Sequence, residues 1–330
     1  MAKMPTEPRI SCLLPVFNGE EFLDEAVRSI LSQTYENFEL VIVDDGSRDS
    51  TPDILKGLAA EDARVMVVRR ENGGIVAALN TGLAACRGEY IARMDADDIA
   101  LPDRFQFQLD YLDAHPGCVL LGGVARSLLS DGSLSGRTTG GRHRRTDLSS
   151  FPPKIAVAMH PLIMVRRAAL IAVDGYRSDF PHAEDYDLFI RLSKLGDIDN
   201  PDHDLLIYRR HEGAISLKHL ETQERSAAWA EVDAMTQGGL AAPAFPAWLV
   251  DPYVRLRIWR RYLGVDRVKA DRMLPRLLAD AANPAPNTLL SRRYWGLRVR
   301  ILGSMLASVI RQRRRRRLAR SPDLTTQGAG

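Results

Sequence analysis

The stretch EYIARMDADD, residues 89–98, places an apolar run directly before three carboxylates, Asp95, Asp97 and Asp98. Because clustered acids repel one another, folding alone gives little reason to gather them. A divalent cation such as Mg²⁺ or Mn²⁺ does, since it prefers oxygen ligands and is commonly held by one or two carboxylates together with substrate phosphates. An acidic helix start ahead of Pro102 is the alternative interpretation of the same residues.

Apolar segments of this kind alternate with segments of helical spacing along the first hundred residues. The apolar segments predict four strands, at 10–17, from 39 to Asp44, at 64–68 and at 89–94. The segments between them predict three helices, one over 22–31, one from a cap at Ser50 and one over 75–86. Strands that are apolar throughout and separated by helices are typical of a parallel, doubly wound sheet.

Ligands of a doubly wound sheet bind beyond the carboxyl ends of its strands. Four acids of this chain fall at such ends: Asp44, Asp45, Asp95 and Asp97. The first strand also ends at a polar residue, Asn18, which forms a pattern typical of a helix capping box with Glu21 three residues on. We therefore expect one rim of the sheet to carry an acidic site.

Two common phosphate-binding motifs are missing from the sequence. No GxGxxG follows the first strand, and no GxxxxGK[ST] occurs, which disfavours a dinucleotide-binding fingerprint and a P-loop NTPase. A site that binds phosphates without a glycine-rich loop must neutralise their charge in another way. A metal ion held by carboxylates does so.

The composition is that of an ordinary globular protein, with 45% hydrophobic and 26% charged residues in a chain of 330. Cys12, Cys86 and Cys118 are scattered without CxxC spacing, so we expect neither disulfides nor a zinc site, and a reducing compartment is favoured. The first residues lack the apolar segment of a signal peptide. No apolar run approaches the ~20 residues that span a bilayer, which predicts a cytoplasmic protein.

Charge is distributed unevenly along the chain. Residues 251–320 hold 19 Lys and Arg against 4 Asp and Glu, whereas residues 1–250 hold 26 against 37. We therefore predict an acidic α/β domain, 1–220, and a basic helical extension, 221–330. Within the extension, 286–320 has the pattern of an amphipathic helix rich in arginine, which fits peripheral binding to the anionic inner face of the cytoplasmic membrane. A helix packed on the first domain is the alternative, and nucleic-acid binding is disfavoured because no recognition fold accompanies the charge.

Several ordered motifs resemble the family-two inverting glycosyltransferases of the GT-A fold. They are PVFNGEEFLDEAVRSILSQTYENFELVIVDDGSRDST (15–51), ENGGIVAALNTGLAACRGEYIARMDADD (71–98), LPDR (101–104), HPLIMVRR (160–167), GYR (175–177), AEDYDLFIRL (183–192) and YRRHEGAIS (208–216). The resemblance covers about residues 9–217. It implies a Rossmann-like, mostly parallel sheet flanked by helices, here followed by the C-terminal helical extension.

On the donor side, the resemblance implies that Asp97 of the DxD motif coordinates Mn²⁺ or Mg²⁺ bound to the diphosphate of a nucleotide sugar. Asp95 would lie beside it, toward the ribose and the donor sugar. Asp45 matches the position that recognises the nucleobase, where a carboxylate can accept a hydrogen bond from N3–H of uracil or thymine. Asp98 is as consistent with a helix cap, and Asp44 with a strand-end residue that binds nearby amides.

The resemblance implies further donor-side residues, each with a structural alternative. Those that would frame the base and the donor are Pro15, Phe17, Asn18, Asn72, Gly73 and Asn80, for which turn and cap chemistry is the alternative. His211 matches a basic site near the diphosphate, where it would ligate the metal or bond a phosphate oxygen, and Arg209 and Arg210 would add charge. His160 is expected near the acceptor or the donor sugar, with a core role as the alternative.

For the acceptor, the resemblance implies that Asp185 is the general base that takes the hydroxyl proton, with Glu184 beside it in the catalytic pair. Direct displacement needs one base and a stabilised leaving group but no enzyme nucleophile, and it inverts the anomeric carbon. An acidic first turn of a helix is the alternative for both residues. Residues 126–150 lack apolar periodicity and predict a long mobile loop, which either borders the acceptor groove or has no role.

The resulting prediction is a metal-dependent inverting glycosyltransferase of cell-envelope polysaccharide synthesis. It would move a sugar from a UDP- or dTDP-sugar to a hydroxyl of a lipid-linked or polysaccharide acceptor. A sugar-phosphate nucleotidyltransferase is one alternative, although no GGxGTRL-type loop follows the first strand. A non-catalytic nucleotide-sugar-binding partner protein is the other, and it would have little use for Asp97 and Asp185 together.

Overall fold

The computed structural model describes most of the first 235 residues and a few isolated positions beyond them. The continuous described ranges are 7–149, 153–210 and 219–235. His211 and the predicted amphipathic segment 286–320 lie outside the described residues.

The chain divides into two compact units. One consists of residues 1–147 and 154–231, and the other of residues 148–153 and 232–330. Both β-sheets and the candidate site belong to the first unit. The predicted domain boundary at residue 220 stays a prediction.

Eleven strands are described: β1 (Ile10–Val16), β2 (Phe38–Asp44), β3 (Val65–Arg69), β4 (Tyr90–Arg93), β5 (Ile99–Ala100), β6 (Cys118–Leu121), β7 (Val124–Leu128), β8 (Leu134–Thr139), β9 (Met164–Arg166), β10 (Asp197–Asp199) and β11 (Asp204–Arg209). Seven of them form the larger sheet, in the order β10-β6-β9-β4-β1-β2-β3. Only β9 runs antiparallel to its neighbours in this sheet. The predicted mostly parallel sheet is therefore confirmed.

The described helices are α1 (Leu23–Leu31), α2 (Thr51–Glu61), α3 (Ile75–Ala85), α4 (Arg104–Ala114), α5 (Arg167–Ala172), α6 (Glu184–Leu192) and α7 (Leu220–Met235). As predicted, α2 follows Ser50 and has Pro52 in its first turn. The capping-box prediction at Asn18 is wrong, because α1 begins only at Leu23. Within the described residues we find no helix with the length and apolarity to cross a membrane.

Helices cover both faces of the larger sheet. Successive residues of a strand point to opposite faces, so alternate residues of β1 pack against different helices. In one apolar cluster, Cys12 and Leu14 of β1 pack with residues of α1 and α4. In the other, Leu13 packs with residues of α3 and α6. Every residue of β1 and β2 is buried, which explains why both strands are continuous apolar runs in the sequence.

The carboxyl ends of the parallel strands meet at one rim, as the sequence predicts. In the register, Val16 lies opposite Asp44, and Leu13 lies opposite Arg93. Just beyond the strand ends, the Asp45 backbone amide donates to the Val16 carbonyl oxygen at 2.9 Å. Asp45 and the loop that follows Arg93 are thereby brought to the same edge.

A smaller sheet has the strand order β5-β11-β7-β8. Its β7 and β8 form an antiparallel pair with Val124 opposite Thr139, so the prediction of a loop over 126–150 is wrong for this part. All six residues of β8 are exposed. A strand without a buried face has no apolar alternation, and this is why the sequence pattern does not reveal it.

Candidate functional site

Three carboxylates gather in the loop between β4 and β5, residues 94–98. Their ligand oxygens, from Asp95, Asp97 and Asp98, lie within 4.8 Å of one another. Asp98 is 1% exposed, and its Oδ2 has no hydrogen-bond partner among the described residues. Burial, followed by the charges of Asp95 and Asp97, holds the pKa of Asp98 well above its ordinary value. A buried oxygen without a partner beside two further carboxylates fits a divalent cation.

This acidic loop is attached to β11 and not to a helix. Asp98 Oδ1 accepts a hydrogen bond from the Arg209 backbone amide at 3.0 Å, and Arg209 Nε donates to the Asp97 carbonyl oxygen at 2.9 Å. The next helix, α4, begins at Arg104 with Asp103 before it. The helix-cap interpretation of Asp98 is therefore wrong, and its carboxylate belongs to the acidic cluster.

A buried arginine pairs with the first acid of the loop. Arg93 is 4% exposed, and its Nη2 lies 2.5 Å from Asp95 Oδ1. Burial raises the pKa of Asp95, and the Arg93 charge opposes that rise. Arg104 Nη2 donates to the Arg93 carbonyl oxygen at 2.7 Å. Neither arginine was predicted as a site residue, although a charged residue inside an apolar strand is a signal that could have identified Arg93.

Asp44 ends β2 and is buried. Its Oδ1 accepts a hydrogen bond from the Ser47 backbone amide at 2.8 Å, and Arg69 Nε lies 3.5 Å from its Oδ2. These contacts agree with the alternative interpretation of Asp44, a strand-end residue that binds nearby amides.

Asp45 organises the turn beside the rim. Its carboxylate pairs with Arg70 and accepts hydrogen bonds from the backbone amides of Gly73, at 3.1 Å, and Gly74, at 2.8 Å. A Cβ at Gly73 would lie 2.6 Å from Arg70 Nη2, so a larger residue there would have to displace the Arg70 side chain. The Gly73 amide also lies 3.3 Å from Oδ2, so the buried carboxylate holds the Gly73–Gly74 turn against the end of β2.

The other residues predicted to lie around the nucleobase and the donor differ in their exposure and their hydrogen bonds. Pro15 is buried within β1, whereas Phe17 and Asn72 are exposed. Asn18 adopts a φ of 51°, and its Oδ1 accepts a hydrogen bond from the Arg48 backbone amide at 2.9 Å. Asn18 therefore ties two rim loops together, which is a task for a residue that tolerates the left-handed conformation.

A second pair of acids opens α6. Glu184 is buried, and burial, followed by the charge of Asp185, raises its pKa to about 7. Burial also raises the pKa of the half-buried Asp185, whose Oδ1 accepts a hydrogen bond from the Tyr186 backbone amide at 2.7 Å. The charge of Asp95 contributes to the raised pKa of both acids. The acidic loop and the α6 pair are thus electrostatically linked.

Two arginines hold the start of α6 through one buried carboxylate. Asp187 Oδ2 accepts hydrogen bonds from Arg177 Nε at 3.0 Å and from Arg191 Nε at 2.9 Å, and Arg177 also pairs with Oδ1. Asp187 is almost completely buried. This clamp, which the sequence analysis did not predict, fixes the turn that carries Glu184 and Asp185.

His160 lies in the core beside this turn. Its Nε2 is 2.9 Å from the Tyr176 hydroxyl, and burial, followed by the Arg93 charge, lowers its pKa well below the ordinary value. Asn80 binds the Tyr176 backbone on both sides, donating to its carbonyl oxygen at 2.8 Å and accepting from its amide at 3.0 Å. The imidazole is therefore neutral, and the Asn80 side chain orients Tyr176.

Arg209, the last residue of β11, and Arg210, which follows it, have different surroundings. Arg209 pairs with Glu25 at 2.5 Å and lies against the acidic loop. Arg210 is exposed, and its Nε donates to the Ser127 hydroxyl of β7 at 3.2 Å. Arg209 rather than Arg210 is therefore placed at the acidic loop by its side-chain contacts.

Comparisons with known proteins match most of the first unit. Residues 11–173 match the family described as glycosyl transferase family 2. An uncharacterized glycosyltransferase of Haemophilus influenzae is 30% identical over 232 residues, which are 67% of this chain and 71% of that protein. The chondroitin synthase of Pasteurella multocida is 30% identical over 223 residues, which are 66% of this chain but 22% of that longer protein.

Solved structures share the fold at low sequence identity. The mannosyltransferase PcManGT from Pyrobaculum calidifontis, in complex with GDP-Man and Mn²⁺, has a TM-score of 0.55 at 16% identity, covering 92% of this chain and 87% of that one. Residues 1–349 of S. aureus TarS, in complex with UDP-GlcNAc, give a TM-score of 0.54 at 17% identity, covering 90% and 80%. The predicted GT-A fold is confirmed.

Proposed function

The chain belongs to glycosyl transferase family 2, and on this premise we propose that it is a metal-dependent inverting glycosyltransferase that uses a nucleoside-diphosphate sugar. The observation that carries the proposal is the cluster of Asp95, Asp97 and Asp98, whose ligand oxygens lie within 4.8 Å of one another, together with the acid pair in the first turn of α6. Direct displacement needs a stabilised leaving group and a nearby base. The two acidic groups are suited to these two tasks.

In the proposed reaction, Asp185 accepts the proton of the acceptor hydroxyl as its oxygen attacks the anomeric carbon. The bond to the nucleoside diphosphate breaks on the opposite side, so the configuration inverts. Asp95 and Asp97 would hold Mn²⁺ or Mg²⁺, which when bound stabilises the charge on the departing diphosphate. Glu184, with a pKa of about 7, keeps its proton below that pH, and this reduces the repulsion that a second charge beside Asp185 would cause.

The predicted roles of Asp97 and Asp185 are tested by substitution. Positioned bases contribute about 10²–10⁴-fold to rate, so Asp185→Asn should lose at least about a hundredfold in kcat, measured as release of nucleoside diphosphate. Asp97→Ala should lose activity together with Mn²⁺ dependence. Asp53→Asn, an exposed change in the first turn of α2, is the control. Turnover that survives both site substitutions would contradict the proposed roles.

For the donor, we propose a UDP- or dTDP-sugar. The Asp45 carboxylate with Arg70 beside it would match a base edge on which an N–H lies next to a carbonyl, as N3–H and O4 do in uracil and thymine. Structural neighbours bind UDP-GlcNAc and GDP-Man, so the nucleotide must be tested directly. A thermal-shift screen of UDP, dTDP, GDP and ADP with Mn²⁺ should show the largest rise in Tm for UDP or dTDP. A larger rise with GDP would contradict the pyrimidine assignment.

For the acceptor, we propose a lipid-linked or polysaccharide hydroxyl at the inner face of the cytoplasmic membrane. The likeness to a chondroitin synthase and the arginine-rich sequence of 286–320 support this. Each arginine near an anionic surface contributes about 1 kcal/mol. The full chain should therefore bind vesicles containing anionic lipid more tightly than neutral ones, and deletion of 286–330 should abolish the difference. Equal binding to both kinds of vesicle would contradict the membrane proposal.

A further inference from the structure

Arg209 contacts the acidic loop through both its backbone and its side chain. Its backbone amide donates to Asp98 Oδ1 at 3.0 Å, and its Nε donates to the Asp97 carbonyl oxygen at 2.9 Å. Its Nη2 pairs with Glu25 Oε2 at 2.5 Å, and the guanidinium lies 4.5 Å from the centre of the Phe22 ring. One residue thus joins two acids of the loop to α1 and to the turn before it.

These contacts leave Arg209 poorly suited to bind a phosphate. Its side chain is 16% exposed, the guanidinium lies over the Phe22 ring, and Nε and Nη2, the two nitrogens along one edge of the guanidinium, each donate to a partner. A phosphate that binds along that edge would have to displace these partners. The contacts instead restrain the backbone of Asp97 and the carboxylate of Asp98, two of the three acids in the cluster.

We propose that Arg209 is a positioning residue that holds Asp97 and Asp98 in the arrangement of metal ligands. This differs from the sequence-based expectation that Arg209 adds charge at the donor diphosphate. The inference rests on the proposed function in one respect, namely that the acidic loop binds a divalent cation.

The positioning role and the charge of Arg209 predict opposite effects of its removal. A cation beside three carboxylates repels an incoming metal ion, so loss of the charge alone would strengthen Mn²⁺ binding. Loss of a residue that orients metal ligands weakens binding, typically by about 10–100-fold. The direction of the change in Mn²⁺ affinity therefore separates the two roles without any activity measurement.

The experiment titrates Mn²⁺ alone into the full chain and follows free Mn²⁺ by its electron paramagnetic resonance signal. Arg209→Ala removes the side-chain hydrogen bond to the Asp97 carbonyl oxygen but keeps the backbone hydrogen bond to Asp98, and we expect it to weaken binding by about tenfold. Arg209→Lys keeps the charge but cannot donate in the fixed fork geometry of a guanidinium, so it should be weakened nearly as much. Asp97→Ala defines the signal that belongs to the acidic loop.

Arg64 offers a matched control on another part of the first unit. It pairs with Asp62 at 2.7 Å, donates to the Leu31 carbonyl oxygen at 3.0 Å and lies 4.5 Å from the centre of the Phe38 ring. Arg64→Ala therefore removes the same three kinds of contact away from the acids. It should lower Tm by an amount similar to Arg209→Ala but leave Mn²⁺ affinity unchanged.

Several outcomes would overturn the positioning role. They are unchanged or tighter Mn²⁺ binding in Arg209→Ala, wild-type affinity in Arg209→Lys, or an equal loss in Arg64→Ala. Glu25→Gln adds a second measurement with UDP as the probe, because a phosphate-binding Arg209 released from Glu25 would bind UDP more tightly. A positioning Arg209 would not. If wild-type binding equals that of Asp97→Ala, the proposed metal site itself fails, which distinguishes this result from failure of the Arg209 role alone.

Discussion

Glu184 provides the sharpest test of the electrostatics at the site. Its carboxyl group is buried at the start of α6, its Oε2 has no hydrogen-bond partner among the described residues, and its charged form is disfavoured by burial and by Asp185. The substitution Glu184→Gln keeps the size and shape of the side chain but removes the charge. We therefore expect the variant to be more stable than the wild type at high pH and not at low pH.

The expected size follows from the pKa of Glu184, which is raised from 4.5 to about 7. Below pH 4.5 both the folded and the unfolded chain hold the proton, so Glu184 does not make the free energy of unfolding depend on pH. Between pH 4.5 and 7 the unfolded chain loses a proton that the folded chain keeps, and the free energy of unfolding falls as the pH rises. At about 1.4 kcal/mol for each tenfold change in proton affinity, the full loss of stability above pH 7 is about 3 kcal/mol.

The assay is urea unfolding of both proteins at pH 5 and pH 8. Part of the loss of stability is already present at pH 5, so the stability of Glu184→Gln relative to the wild type should increase by about 2–3 kcal/mol between the two pH values. Glu36→Gln, at an exposed position, is the control: its stability relative to the wild type should change by less than about 0.5 kcal/mol between the two pH values. The reasoning would be refuted if the difference in free energy of unfolding between Glu184→Gln and the wild type stayed constant or shrank as the pH rises.

Three further predictions concern the support of the site and its metal. Asp187→Asn breaks the clamp between Arg177 and Arg191 and should lower the free energy of unfolding in urea by about 3 kcal/mol, because both arginines lose their buried charged partner. A decrease below about 1 kcal/mol would contradict this. Gly175→Ala should lower the free energy of unfolding by at least about 1 kcal/mol. Gly175 has a φ of +61°, and the added Cβ would lie 2.7 Å from Asn80 Oδ1. An unchanged Tm would contradict this prediction. Removal of divalent cations with EDTA should abolish sugar transfer and Mn²⁺ should restore it, whereas full activity in EDTA would exclude the proposed metal dependence.

The sequence predicted the rim of the sheet well because its strands are buried on both faces. Continuous apolar runs located β1, β2 and β4 to within a residue or two, and parallel pairing then required their carboxyl ends to meet. Asp45 and the acidic loop could therefore be placed together without any coordinates. The same logic does not extend to β8, whose residues are all exposed and which is stabilised by backbone pairing with β7.

Interactions between distant segments could not be predicted from local pattern. Asn18 forms a pattern typical of a helix cap, yet its side chain accepts the Arg48 amide from the turn after β2. Arg209 lies in the YRRHEGAIS motif, and the resemblance implies that it adds charge at the donor diphosphate, yet its partners come from α1 and from the acidic loop. In both cases the sequence identifies a polar side chain but not the groups that it contacts. The partner was set by tertiary packing, on which the spacing of residues in one segment carries no information.

The residues that mark this site are those that folding alone disfavours. Asp98 and Glu184 are buried acids, each with one oxygen that has no partner in the described part of the chain, and both have raised pKa values because burial penalises their charged forms. A protein selected only for stability would replace them, since burying an unpaired carboxylate is costly. A bound divalent cation would offset part of this cost at Asp98, because any ligand that binds the folded chain alone stabilises it. Such local conflicts with folding are expected where function requires them, and this is why an acidic cluster at the end of an apolar strand was informative before any contact was known.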